Sequence, residues 1–185
     1  MVTVDVLCSM LLLSDPAGTA VEPAFDDPPA YEQRPKSTWK GSGYFTLGVS
    51  PMSVLHGEGF HPGVRHHIET GLAWARGRVR LYVGPDLHLS QIYGRKKPGF
   101  GIDAMMTVSL RHVYARIGAG TVARMPAYRD ANETRPMMGG LVGGGLVGRL
   151  DHMEGRLGLD YDVRIDTTGR VAQTILVAMR LSFGP

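Results

Sequence analysis

The chain has 185 residues, with 20 Lys+Arg against 17 Asp+Glu and a formal net charge of +3. Apolar residues make up 43% and charged residues 20%, which excludes wholesale disorder, and no apolar run reaches the roughly eighteen residues of a transmembrane helix. The single cysteine, Cys8, excludes an intrachain disulfide framework and a cysteine-based zinc site. The small, scattered basic excess is no nucleic-acid signature.

Residues 6–13 form a short apolar stretch, followed by Ser14-Asp15-Pro16 and then the small residues Ala17-Gly18-Thr19-Ala20. That order predicts a secretory signal over residues 1–20, cleaved after Ala20, although Asp5 stands where such segments carry Lys or Arg. Residues 21–40 are rich in proline and acid (Glu22, Asp26, Asp27, Pro28, Pro29) and read as an extended periplasmic linker. Pro28-Pro29-Ala30-Tyr31 matches a WW-ligand pattern too short to carry an argument.

From residue 41 to 185 the hydrophobic period is two, which marks strands, because successive strand side chains face opposite sides. Residues 43–50 set Phe45, Leu47 and Val49 on one face, and 64–76 continue the alternation. In 78–90, Val79, Leu81, Val83, Pro85, Leu87 and Leu89 oppose Arg78, Arg80, Tyr82, Gly84, Asp86, His88 and Ser90. Residues 101–110 align Ile102, Ala104, Met106, Val108 and Leu110, and 112–125 form a fifth span. The glycine-rich span 137–150 is the least patterned, with only Val142, Leu146 and Leu150 in line. In 153–165, Met153, Leu157, Leu159, Tyr161, Val163 and Ile165 oppose Glu154, Arg156, Asp160, Asp162 and Arg164. Residues 170–183 close the series with Val171, Ile175, Val177, Met179, Leu181 and Phe183 on one face. A helix would spread these apolar residues around its whole circumference.

Longer connections (51–63, 91–100, 126–136 and 166–169) follow the odd-numbered strands. Tight turns near Arg76-Gly77, Arg111-His112 and Leu150-Asp151 follow the even-numbered ones. Such an up-and-down meander closes into a barrel, because closure removes the exposed strand edges. A soluble lipocalin-like carrier would turn the apolar face inward around a ligand. Three features favour lipid instead: strands long enough to cross tilted, long loops at one end with short turns at the other, and a polar face of paired charges. That face sets Glu69, Asp86, Asp103, Glu154, Asp160 and Asp162 against Arg78, Arg80, Arg116, Arg156 and Arg180, and fills in with Gly71, Ala73, Gly84, Gly118, Gly120 and Gly158. A narrow lumen has room for small residues and interlocked ion pairs.

On the meander, the loop asymmetry and the last strand, Val171-Ala-Gln-Thr-Ile-Leu-Val-Ala-Met-Arg-Leu-Ser-Phe183, the chain resembles the small eight-stranded outer-membrane barrels, the OmpA/OmpX-like group. The resemblance spans about residues 39–183 and implies an all-β, eight-stranded antiparallel up-and-down transmembrane β-barrel in the bacterial outer membrane. It also implies a monomer whose final strand, ending in an aromatic, is read by the barrel-assembly machinery. Here Gly184-Pro185 follow that aromatic. With a periplasmic N-terminus the longer loops face outward. Trp74 and Phe183 then fall at the periplasmic lipid interface and Tyr161 toward the outer one.

A charged lumen either tunes ion passage or is packed shut, and for eight strands the packed plug is the expectation. His56, His61, His66 and His67 with Glu58 match no standard zinc spacing, so no metal or other cofactor is expected. Arg95, Lys96 and Lys97 put three cations at the outer rim, where lipopolysaccharide phosphates are candidate partners. His88 and Ser90, with Asp103 on the next strand, look like the histidine, serine and carboxylate of outer-membrane lipid A deacylases. That family uses Glu and exposes its site to lipid, whereas the register here turns all three inward. The sequence therefore predicts a non-enzymatic barrel with a structural, surface-interaction or narrow-pore role. The soluble carrier and the lipid-hydrolysing enzyme are the alternatives.

Overall fold

The structure, a computed structural model, describes residues 38–56, 59–94, 97–123 and 136–184. The signal, most of the linker, Glu58, Arg95 and Lys96 lie outside the described residues, as does the side chain of His56. Eight strands run in sequence order: β1 (Lys40–His56), β2 (Gly59–Arg76), β3 (Val79–Ile92), β4 (Gly99–Ser109), β5 (Val113–Val122), β6 (Met137–Leu150), β7 (Met153–Asp166) and β8 (Val171–Phe183). Each pairs antiparallel with its sequence neighbours, and β8 pairs with β1 to close the barrel.

The strands run close to where the alternation puts them, with one correction. Residues 51–63, expected as a long loop, are mostly ladder: β1 and β2 stay paired up to Leu55↔Phe60 and His56↔Gly59. Proline was the misleading signal. Pro51 sits where the β1–β8 pairing skips from Val49↔Met179 to Met52↔Leu176, so its missing N–H deprives no partner. Pro85 occupies the matching break between β2 and β3, where pairing skips from Glu69↔Asp86 to Leu72↔Val83.

At the opposite end, Gly77-Arg78 and Asp151-His152 make two-residue turns, closed by the pairs Arg76↔Val79 and Leu150↔Met153. Gly77 at φ 59° and Asp151 at φ 48° adopt the left-handed backbone that such turns require.

The two faces of the sheet decide the environment. Leu157, Leu159, Val177 and Met179 are 53%, 60%, 43% and 43% exposed on the outside, while Arg156 and Asp160 are 3% and 1% exposed within. The apolar faces of all eight strands look outward, so the fold is not a carrier lined by apolar side chains. The interior is stratified. At the loop end it holds an apolar layer that includes Met52, Val54, Ile92, Val122, Met137 and Leu176. At the turn end sit Tyr44, Ala73 and Tyr82. Between them the lumen is charged.

Candidate functional site: the charged lumen

Inward positions on facing strands carry long polar side chains that meet across the barrel. Toward the loop end, Arg164 donates through both Nη atoms to the two oxygens of Asp103, at 2.8 and 2.7 Å, and through Nε to Asp162 at 2.6 Å. Arg65 donates to the other oxygen of Asp162 at 2.7 Å and to Ser90 Oγ at 2.9 Å. These bonds join β7 to both β4 and β2, neither of which is its neighbour in the sheet.

At mid-height, Arg116 Nη2 lies 3.2 Å from Asp86 and 3.6 Å from Glu69. Tyr44 donates to Glu69 at 2.6 Å, and Arg180 pairs with Asp160. Toward the turns, Glu154 gathers three guanidiniums: Arg156 at 2.8 Å, Arg149 at 2.9 Å and Arg80 at 3.6 Å. Arg156 also stacks over the Tyr82 ring, 4.2 Å from its centroid, a favourable cation–π contact. Arg149 reaches across the floor, donating to the carbonyls of Arg78 at 3.3 Å and Leu110 at 2.8 Å and to Ser109 Oγ at 3.0 Å.

Of the residues read as a charge network, Glu69, Asp86, Asp103, Arg116, Glu154, Arg156, Asp160, Asp162 and Arg180 are buried in the lumen, and Arg80 is half-buried at its lower end. Arg78 is a correction. It stands exposed in the β2–β3 turn and offers the network only its carbonyl, because the tight turn lifts residue 78 out of the ladder. Arg65, Arg149 and Arg164 belong to the network and were not singled out. All three share the inward parity of their strands, and that was the available signal.

Large inward side chains need room, and glycine on the neighbouring strand supplies it. Arg180 is registered against Gly48, Arg164 against Gly139, Tyr114 against Gly145 and His88 against Gly101. Gly143 faces Arg116 on one side and Asp160 on the other. A β-carbon at Gly143 would collide with the Asp160 carboxylate and one at Gly101 with the His88 ring. The high glycine content, 25 residues in all, therefore belongs in large part to packing.

His88, Ser90 and Asp103, the set weighed as the enzymatic alternative, do not join into a relay. His88 Nε2 lies 3.3 Å from Asp103, but Ser90 accepts from Arg65 and has no bond to His88. A different trio does connect: Ser50 Oγ is 3.2 Å from His67 Nε2, and His67 Nδ1 is 3.1 Å from Asp86. The order of groups matches a hydrolase relay. All three are buried, and Asp86 is shared with Arg116, so the chain of bonds ties β1, β2 and β3 together inside a packed interior.

The remaining histidines disperse. His67 points into the lumen, His66 stands exposed on the apolar outer face, and His61 lies half-buried on the upper hairpin. Among the described residues no cluster of three or more His, Cys, Asp or Glu is placed to hold a metal. Lys97 is exposed just before β4.

No protein-family model matches the sequence, and no curated protein is similar to it. A crystal structure of the neisserial surface protein A is similar in fold, with a TM-score of 0.53 at 12% identity, covering 79% of this chain and 99% of that one. At that identity the likeness is one of architecture: a small closed β-barrel.

Proposed function

We propose that the protein is a non-enzymatic barrel of the bacterial outer membrane, one of the small eight-stranded kind, whose sealed lumen makes it a rigid frame for the loops between its odd and even strands. The observation that carries this is the inversion of its faces. An apolar belt surrounds the barrel while its arginines and carboxylates are buried within. In water such a belt would be a large aggregation-prone surface; in a bilayer it is the face that lipid requires. Strands of 10 to 18 residues are long enough to cross when tilted. Exposed aromatics gather at both ends, with Tyr93, Phe100 and Tyr161 toward the loops and Phe45 and Phe183 toward the turns, as interfacial girdles do.

The same reading places the longer loops at the cell surface, with Lys97 and its neighbours Arg95 and Lys96 available to lipopolysaccharide phosphates, and gives the aromatic end of β8 to the assembly machinery. The buried state of Ser50, Ser90, His67 and His88 supports a role without hydrolysis.

Electrophoretic mobility and fractionation test the proposal. The unboiled protein is expected to migrate apart from the boiled form and to sediment with outer membranes. Equal mobility, with recovery in the soluble fraction, would exclude it.

A further inference from the structure

At the short-turn end the exposed charged side chains among the described residues are Lys40, Arg76, Arg78, Arg111 and Asp151, four cations to one anion. The cations lie on one arc. Lys40 opens β1, Arg76 ends β2 on the outward face two residues beyond Trp74, Arg78 is in the β2–β3 turn and Arg111 in the β4–β5 turn.

Two of the turns that carry the arc are tied together, and one of its cations has a definite height. Arg149 bonds the carbonyls of Arg78 and Leu110, drawing the two cation-bearing turns together from beneath. Leu110 and Val113, 45% and 47% exposed, flank Arg111, so this cation stands where the apolar belt gives out. In a bilayer that is the depth of the headgroup phosphates.

We propose that this arc is a binding surface for the phosphate headgroups of anionic phospholipids, in the leaflet that meets the short turns. Clustered Lys and Arg beside a membrane attract anionic lipid, and the attraction falls within a Debye length. The guanidiniums of Arg78 and Arg111, carried on turns whose backbone Arg149 holds, add directional N–H donors for phosphate oxygens. The proposal rests on the membrane reading above, and the test separates the two.

The purified full-length protein is reconstituted in phosphatidylcholine containing a trace of spin-labelled phosphatidylglycerol or spin-labelled phosphatidylcholine, and the motionally restricted fraction of each label is measured. The expected preference for phosphatidylglycerol is on the order of three-fold, fading toward parity in high salt. It is expected to disappear in the K40Q/R78Q/R111Q variant and to persist in K97Q, which alters the other end. Equal restriction of the two labels, or a preference unchanged in K40Q/R78Q/R111Q, overturns the headgroup site while leaving the barrel in lipid. Absence of a restricted component with either label overturns the membrane reading and the headgroup site with it.

Discussion

Arg164 shows how a single inward residue holds distant strands. Its guanidinium forks onto Asp103 and also reaches Asp162, so its removal leaves two buried carboxylates short of their counter-charge. Replacing it with Met is expected to destabilise the barrel by about 3–5 kcal/mol, and adding Asp103→Asn is expected to restore part of the loss. Equilibrium urea unfolding in detergent micelles measures both; a cost below about 1 kcal/mol would mean that the carboxylates are well hydrated without their partner. That such residues face inward was legible from alternation alone. Their partners were not, because Arg65 meets Asp162 over 97 residues of sequence and Arg164 meets Asp103 over 61. Period fixes a face; only closure decides which faces look at one another.

At the level of the strand, β6 explains why its own pattern was faint. Gly139, Gly143 and Gly145 stand opposite Arg164, Arg116 with Asp160, and Tyr114, so the strand contributes space where its neighbours contribute side chains. Hydrophobic alternation fades when half the alternating positions have no side chain to score. Gly143→Leu is therefore expected to abolish formation of the heat-modifiable species, since even a β-carbon there would strike Asp160 and the Leu159 carbonyl. Gly148→Leu on the same strand, where a β-carbon meets nothing within 4 Å, is expected to fold normally. Comparing the folded fraction of the two variants on unboiled gels separates loss of lumen space from loss of glycine as such. Pro51 teaches the converse lesson. A residue that usually ends strands was absorbed into one, because the seam beside it happened to need no donor.

Among the described residues the two ends of the lumen are filled by different means: an apolar layer at the loop end and Arg149 bound to turn carbonyls at the other. Ions crossing the lumen would have to displace the apolar layer and several buried ion pairs. No steady conductance above the bare-bilayer baseline is therefore expected in planar-membrane recordings; discrete open levels from the purified protein would refute the packed lumen. The meander, the strand number and the outward apolar face were legible because neighbouring strands in sequence are neighbours in space. The extended first hairpin was not, since nothing in residues 51–63 distinguishes a proline that breaks a strand from one seated at a gap in its ladder.

The grip of Arg149 on the β2–β3 and β4–β5 turns has a bearing on how the cylinder comes together. Those two hairpins precede the sixth strand in the chain, yet neither is fastened underneath until that strand delivers its guanidinium. A polypeptide laid down hairpin by hairpin thus keeps an unlatched base through most of its construction, and locks two turns of it with one late-arriving side chain.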